Sequence, residues 1–263
     1  MDDAASHPNI PALELTALSV ESRQDPGSAV LENVNWSVGA GEYWVLAGMH
    51  SAGKSDFLAM LAGLAPPLRG GFRLFGREMP ATGGQFLSER LRIGLVFDGG
   101  LLFQNLTIEE NVALPLRYHR GLARGDIGNS VKTILEETGL SPWAGRLPGT
   151  VGRAWQKRAG LARALVLQPE VLLLDNPLGG VDSRHLQWWL GALDRLSAGR
   201  GFLEGRPMTL VVATDDLRPW RNRAAHFALL QKRRFSPLGR QPQLTGLADP
   251  LVRELLAEQP AAV

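Results

Sequence analysis

The sequence predicts an α/β fold, in which a sheet-based core carries a mainly helical insert. Short apolar runs at residues 43–47, 171–175 and 209–213 are typical of buried strands. A glycine-rich loop joins the first of these runs to an apolar helix that begins near Phe57. Between the first and second runs, apolar residues recur at helical spacing over much of residues 88–165. These patterns predict a chain in which helices separate the buried strands.

The N-terminal part predicts strands that precede the glycine-rich loop. Residues 13–20 alternate apolar and polar side chains, as a half-buried strand does. Residues 29–38 form a second such run after a turn at residues 24–28. Two adjacent glycines and an apolar run within residues 66–76 indicate a further hairpin. We therefore expect an antiparallel β subdomain beside the core.

Residues 48–55 match the pattern G-x-x-x-x-G-K-[ST], in which successive backbone N–H groups form a concave nest for phosphate oxygens. Gly48, Ser51 and Gly53 belong to the predicted nest. Lys54 would reach the β- and γ-phosphates of a nucleotide, and the Ser55 hydroxyl would ligate Mg²⁺. The strand before the loop and the helix after it favour a phosphate site over a turn that matches the pattern by chance.

Two carboxylates are associated with this pattern. Asp56 follows the loop directly and is an expected nucleotide contact, although its charge has the same sign as phosphate. Asp175 ends the apolar run 171–175, where a carboxylate would hold Mg²⁺ through water. An apolar run that ends in aspartate is weak evidence for a metal site by itself. Its occurrence together with the phosphate loop makes the evidence stronger.

Capping and apolar spacing predict the remaining helices. Thr107 and Glu110 have the spacing of a capping box, so a helix is expected to start at Thr107. The other predicted elements are helices at residues 126–138, 156–167 and 185–196, a hairpin after residue 226 and a last helix at residues 250–257. We expect one domain, residues 1–263, with residues 1–87 and 166–263 as the core and residues 88–165 as the helical part.

The composition narrows the class of protein. A net charge of +2 over 263 residues provides no strong field for nucleic acid, and the basic cluster at residues 218–234 is interpreted as a solvated surface. The absence of cysteine excludes disulfides, thiolate metal sites and cysteine nucleophiles. No apolar run approaches the length of a bilayer-spanning helix, and the N-terminus lacks a secretory signal. We expect a cytoplasmic protein that does not bind nucleic acid.

Several motifs together resemble those of the ATP-binding subunits of ABC transporters, over nearly the whole chain. Residues 102–116 are, in addition, similar to subunits of lipid-handling MCE-type (Mla-like) importers. Beside the phosphate loop, the similar segments are residues 97–103 (Q-loop), 156–165 (the helix after the signature motif), 174–177 (Walker-B end), 180–182 (D-loop) and 214–216 (switch region).

This resemblance implies a P-loop NTPase core of the ABC ATPase type, with ATP and Mg²⁺ as cofactors and Ser55 and Asp175 at the metal. In the family, ATP is held between the phosphate loop of one subunit and the signature motif of another. The chain is therefore expected to pair with a second ATP-binding subunit, as a heterodimer. A transmembrane permease would hold the pair on the inner face of the cell membrane.

The chain departs from the family at the positions that act on the γ-phosphate. The Q-loop glutamine is Asp98, the glutamate after the Walker-B aspartate is Asn176, and the switch histidine is Asp215. The signature Leu-Ser-Gly-Gly-x reads Val-Gly-Arg-Ala-Trp at residues 151–155, and no aromatic residue stands within residues 18–25 to stack on adenine.

These departures affect hydrolysis more than binding. Asn176 can orient a water molecule but accepts no proton near neutral pH, and an ionised Asp215 has no hydrogen to donate to a phosphate. Phosphoryl transfer needs both an oriented water and positive charge at the γ-phosphate. The site is therefore expected to hold Mg·ATP and to hydrolyse it poorly.

Three functions remain open from the sequence. The first is an ABC-type ATP-binding subunit with impaired hydrolysis and a competent partner. The second is a catalytically inactive pseudo-ATPase that holds or regulates the transporter complex. The third, a P-loop ATPase unrelated to transport, is disfavoured by the resemblance at residues 96–116 and 156–165.

Two surface features follow from the resemblance. Leu101, Leu102 and Phe103 lie just after the Q-loop and are either an exposed patch that receives a permease helix or part of the core. Arg153 lies in the signature segment, where small glycines allow a nucleotide on the opposite subunit to approach. Arg153 could block that approach, contact the γ-phosphate or point into solvent, and the first is favoured.

Overall fold

The computed structural model describes residues 10–79, 86–119, 124–201, 205–240 and 249–257. None of the helices in these ranges combines the length and apolar character needed to cross a lipid bilayer. The strands are β1 (Leu13–Glu21), β2 (Ala29–Val38), β3 (Tyr43–Ala47), β4 (Arg69–Leu74), β5 (Arg77–Glu78), β6 (Ile93–Val96), β7 (Val171–Asp175), β8 (Thr209–Thr214), β9 (His226–Gln231) and β10 (Arg234–Arg240). The helices are α1 (Lys54–Leu61), α2 (Leu87–Arg90), α3 (Ile108–His119), α4 (Arg124–Glu137), α5 (Arg153–Leu165), α6 (Ser183–Ser197) and α7 (Pro250–Leu256).

A six-stranded sheet, in the order β10-β9-β3-β8-β7-β6, forms the centre of the fold. Its strands are parallel except for β10, which runs antiparallel to β9. Successive side chains of β3 point to opposite faces: Tyr43 and Val45 pack in the core with α3 to α6, whereas Trp44 and Leu46 pack in the core with α1. Because both faces are covered, the parallel strands are unbroken apolar runs in the sequence.

A second sheet, in the order β2-β1-β4-β5, is antiparallel throughout and shares the α1 core. The predicted β subdomain is therefore confirmed. The hairpin predicted within residues 66–76 is wrong in its bounds, because that range holds only β4 and its partner β5 begins after the turn at residues 75–76. Helix α1 ends at Leu61, before the apolar run at residues 57–64 is complete. Gly63 explains the early end, because it adopts the left-handed conformation (φ 71°) that stops a helix, and the Leu64 N–H bonds back to the Ala59 carbonyl.

Helices α3, α4 and α5 pack on one another over one face of the central sheet. The capping box is confirmed, since the Thr107 N–H donates to Glu110 Oε2 at 2.8 Å and the Glu110 N–H donates to Thr107 Oγ1 at 3.2 Å. Strand β6, which falls within residues 88–165, pairs with β7 at the edge of the central sheet. The helical layer in this stretch therefore begins at Ile108.

Candidate nucleotide site

Four of the five parallel strands bring a polar group to the same edge of the central sheet. β3 leads into the loop 48–55, β7 ends at Asp175, and Asp215 and Asp98 follow β8 and β6. These four strands are neighbours in the sheet, so their carboxyl ends surround one cavity of ≈ 350 Å³. Such an edge is where open α/β sheets bind ligands. The predicted site residues that line the cavity are Ser51, Gly53, Lys54, Ser55, Asp56, Asp98, Asp175, Asn176 and Asp215.

Two glycines of the phosphate loop are required by close packing. A Cβ on Gly48 would lie 2.6 Å from the Leu230 carbonyl oxygen, and a Cβ on Gly53 would lie 2.8 Å from Val30. Gly53 also has a φ of 83°, which favours glycine. Ser51 holds a φ of 64° without being glycine, a conformation that costs about 1 kcal/mol or more. The loop thus lies tightly against the start of β2 and the end of β9.

Lys54, Ser55 and Asp175 form the polar centre of the cavity. Lys54 Nζ donates to the carbonyl oxygens of Gly48 at 2.6 Å and Met49 at 2.8 Å. Burial lowers the pKa of Lys54, and the nearby carboxylates of Asp215 and Asp175 oppose that shift. Burial likewise raises the pKa of Asp175, against the effect of a hydrogen bond from Ser55. A cation at this point would therefore relieve an unfavourably buried carboxylate.

The oxygen atoms of Ser55 and Asp175 suit Mg²⁺, which prefers such hard ligands. Among the described residues, no cluster of three or more histidines and carboxylates could hold a metal ion by itself. A single carboxylate with a hydroxyl is, however, the usual protein share of a magnesium site that phosphate oxygens complete. The residues present therefore fit Mg²⁺ bound together with a nucleotide.

Lys157 joins three segments around the site. It is buried on α5, and its Nζ donates to the carbonyl oxygens of Asn176 at 2.8 Å and Gly179 at 2.7 Å. It also lies 2.9 Å from Asp98 Oδ1. The ion pair holds the Asp98 carboxylate beside α5. The two hydrogen bonds from Lys157 to the carbonyl oxygens hold the turn that contains Asn176.

Hydrogen bonds also hold the loop after β6 against α5. Arg163 donates to the carbonyl oxygens of Gly100 and Leu101, both at 2.9 Å. Leu101 and Phe103 are 63% and 54% exposed, whereas Leu102 is 7% exposed and packs in the core. Of the two alternatives left open by the sequence, the exposed patch holds for Leu101 and Phe103, and the core holds for Leu102. Leu102 belongs to the same core cluster as Val96 of β6 and Ile108 of α3.

Asp215 and Arg153 lie on the open side of the site. Asp215 Oδ2 is 3.9 Å from Nδ1 of the exposed His50. Arg153 is exposed at the first position of α5, and its N-cap Gly152 makes no side-chain capping bond. Both residues line a second cavity of ≈ 460 Å³ that also reaches Asn176. Arg153 therefore faces the end of the site that holds Asn176.

Arg23 and Asp56 pair across the opposite end of the cavity. Arg23 Nε donates to Asp56 Oδ1 at 2.7 Å, so the carboxylate that follows the phosphate loop is already engaged. Neither Arg23 nor Lys157 is recognisable as a site residue from the sequence. The missing aromatic residue at 18–25 was the one signal that could have directed attention to Arg23. No local pattern reports the partners of Lys157, which lie on other elements.

Comparisons with known proteins agree with this geometry. The family described as ABC transporter matches residues 31–179. The probable ribonucleotide transport ATP-binding protein mkl of Mycobacterium leprae is 30% identical over 230 residues, which are 87% of this chain and 65% of that protein. The chain thus spans just under two thirds of that relative. The intermembrane phospholipid transport system ATP-binding protein MlaF of Escherichia coli K12 is 27% identical over 228 residues, 86% of this chain and 82% of MlaF.

A solved structure shows the same architecture. The dimeric, post-hydrolysis structure of the ATP-binding cassette MJ0796 bound to ADP and Pi has a TM-score of 0.73 and 25% identity, and the match covers 84% of this chain and 95% of that one. The family match covers more than half of the present chain, and the central sheet and phosphate loop have the arrangement of an ABC cassette. This chain therefore belongs to the ABC transporter family, as an ATP-binding domain.

Proposed function

We propose that this chain is the ATP-binding subunit of a membrane ABC transporter, and that its own site binds Mg·ATP but hydrolyses it poorly. The observation that carries the proposal is the combination of an intact phosphate loop with Asn176 at the end of β7. Ser55 and Asp175 would hold Mg²⁺, and Lys54 would move from its loop carbonyls to the β- and γ-phosphates. The bound Mg²⁺ would neutralise charge that develops on the phosphate oxygens.

Hydrolysis is limited by the groups around the γ-phosphate. The Asn176 amide can orient a water molecule, but it accepts no proton, and losing a general base costs about 10²–10⁴-fold in rate. Asp98 is held by Lys157 at 2.9 Å, so its carboxylate faces α5. An ionised Asp215 repels the γ-phosphate that a histidine would bind. All three changes therefore impair turnover, while binding depends on the intact phosphate loop.

The assembly and substrate belong to the same proposal. A competent second subunit, different from this chain, would supply hydrolysis, and a transmembrane permease would hold both at the cytoplasmic face of the membrane. The likeness to MlaF, described as part of an intermembrane phospholipid transport system, supports a lipid substrate. If the assembled complex does not use nucleotide at this site, the chain is instead a catalytically inactive pseudo-ATPase with a structural or regulatory role.

Binding and turnover on the purified chain test the proposal. A fluorescent ATP analogue with Mg²⁺ should bind, and ATPase activity should be at least about 100-fold below that of a member with the catalytic glutamate. Lys54→Ala should abolish binding because it removes the charge that offsets the phosphates. Lys132→Ala on the exposed side of α4 is the matched control and should bind as the unchanged chain does.

Two outcomes would overturn it. Turnover at the rate of ordinary family members would show that Asn176 does not limit hydrolysis. Binding that survives Lys54→Ala would show that the loop is not the nucleotide site. Copurification of the chain with a permease, followed by mass spectrometry of the second subunit, tests the assembly separately.

A further inference from the structure

The cavity has two chemically different ends. One end contains Lys54, Ser55 and Asp175, the groups that fit phosphate and Mg²⁺. The other end is lined by Ser22, Arg23, Gln24 and Val30, from the end of β1 to the start of β2. If the phosphates of a nucleotide occupy the loop, its base must extend toward this second end. None of the described residues that line this second end has an aromatic ring, so its side chains offer a base hydrogen bonds rather than ring stacking.

Arg23 is held in place at this second end. Its Nε donates to Asp56 Oδ1, and Asp56 lies in the first turn of α1, directly beyond Ser55. The turn that carries Arg23 is itself ordered by bonds from the backbone N–H groups of Gln24 and Asp25 to the Ser22 hydroxyl, at 3.2 Å and 3.1 Å. Arg23 lines the same cavity as Asp175, so its side chain lies at the site. The guanidinium is therefore a positioned donor.

The pairing with Asp56 decides what Arg23 can recognise. Asp56 neutralises the charge of the guanidinium, so the pair attracts an anion weakly. The hydrogen bond to Asp56 uses only the Nε–H group of Arg23. The two terminal nitrogens of the guanidinium carry further N–H donors, and the group has no acceptor atom. Such a fork suits a neutral group that presents two adjacent acceptors. The O6 and N7 atoms of guanine are two such acceptors, whereas adenine presents N7 beside the N6 amino donor.

We propose that Arg23 is a specificity-determining residue that recognises the O6/N7 edge of the base, so that the site binds guanine nucleotides more tightly than adenine nucleotides. This rests on the proposed function, since it requires that the loop hold a triphosphate. ATP still binds through its phosphates, and its base gains no paired contact with Arg23. The preference is about tenfold, the effect of one bidentate contact between arginine and guanine at a partly exposed site.

Equilibrium binding of four Mg²⁺-bound ligands to the full chain tests this. The ligands are GTP, ATP, inosine triphosphate and inorganic tripolyphosphate, measured by competition with a fluorescent nucleotide. Inosine triphosphate keeps O6 and N7 and lacks the 2-amino group of guanine, so it should bind as tightly as GTP. ATP should bind about tenfold more weakly than both. Equal affinity for ATP and GTP would overturn the proposal without the need for any variant.

Variants at Arg23 separate base recognition from phosphate binding. Arg23→Met preserves length, and Arg23→Lys preserves charge but loses the planar fork. Both should remove the difference between GTP and ATP. Arg23→Lys should also leave tripolyphosphate affinity the same, because it keeps a cation beside Asp56, whereas Arg23→Met leaves that carboxylate unpaired. If Arg23→Lys weakens tripolyphosphate as much as GTP, Arg23 is a phosphate ligand and the proposal is wrong. If no triphosphate binds even to the unchanged chain, the proposed nucleotide-binding function fails with it.

Discussion

Asn176 lies directly after the buried strand β7 with a φ of 45°, and its backbone N–H bonds the Ala213 carbonyl oxygen at 2.9 Å. Asparagine tolerates this left-handed conformation better than most residues. A Cβ on Gly179 would fall 2.3 Å from Asn176 Nδ2, so the amide packs against a position that only glycine can occupy. At the residue scale, the backbone therefore places this amide directly beside Asp175, where the proposed function requires it to orient a water molecule without accepting its proton.

Arg153 provides the prediction at this scale. The double change Gly152→Ser and Arg153→Gly should raise ATPase activity of the assembled transporter by about tenfold or more, because a hydroxyl and accessible backbone amides replace a bulky side chain. Gly152 has an extended conformation (φ −63°, ψ 154°) that accepts serine as an N-cap. Gly152→Ser alone is the control, since it caps α5 but leaves Arg153 in place. A lower rate in the double variant would mean that Arg153 contributes to catalysis.

At the scale of elements, α5 is the part that holds the loops of the site. Lys157 and Arg163 on this helix bond backbone or side-chain oxygens of the segments that follow β6 and β7. Gly100 and Gly160 let the helix and the loop after β6 meet closely, since a Cβ on Gly160 would lie 2.8 Å from Gly100 Cα. The helix and both loops therefore behave as one packed unit.

Lys157→Met should lower the free energy of unfolding by about 2 kcal/mol, because it removes a charged donor from two partly buried carbonyl oxygens. The Gly179 carbonyl then loses this donor, and the Asn176 carbonyl keeps only the weaker bond from the Gly179 N–H. Asp98→Asn should cost less than about 1 kcal/mol, since the Asp98 side chain is 52% exposed and an exposed ion pair is weak. Urea unfolding followed by tryptophan fluorescence measures both. Equal costs for the two variants would show that the ion pair, and not the carbonyl bonds, is what Lys157 contributes.

The capping box of α3 gives a prediction about pH. Hydrogen bonds from the backbone and side chain of Thr107 hold the pKa of Glu110 below its ordinary value of 4.5. A depressed carboxyl pKa stabilises the fold above the unfolded pKa, and this contribution is lost as pH falls through the folded pKa. The stability difference between the unchanged chain and Glu110→Ala should therefore be largest at neutral pH and shrink in acid. Denaturant titrations at several pH values measure it, and a difference independent of pH would contradict it.

At the scale of the whole molecule, the loop after β6 leaves two large apolar side chains on the surface. Leu101 and Phe103 are exposed on either side of the buried Leu102. Exposed apolar patches of this kind mark interaction sites. In a subunit of a membrane transporter, the permease is the partner that would cover them.

The double change Leu101→Glu and Phe103→Glu should abolish copurification with the permease and leave the melting temperature nearly unchanged. Leu102→Glu should instead unfold the chain, because it buries a charge in the core. Tyr118→Glu is a matched control, since Tyr118 is also exposed and lies at the end of α3, outside the patch. If the double variant still copurifies with the permease, the permease does not dock on this patch.

Much of the secondary structure could be predicted from the sequence, because it depends on interactions between residues that are close along the chain. β2 and β7 have the predicted bounds, since two-sided burial and alternation are visible as residue patterns. The capping box at Thr107 was equally visible, because its two partners are three residues apart. The phosphate loop could be predicted for the same reason, as its function depends on one continuous backbone segment.

Only the tertiary structure decided which residues meet. The strand order β3-β8-β7-β6 places Asp98, Asp175 and Asp215 around one cavity, and no local pattern encodes that order. Arg23 and Asp56 are 33 residues apart, and their contact depends on how the antiparallel sheet lies over α1. Hydrogen bonds and ion pairs act over a few ångströms in space, whereas sequence patterns report only neighbours along the chain.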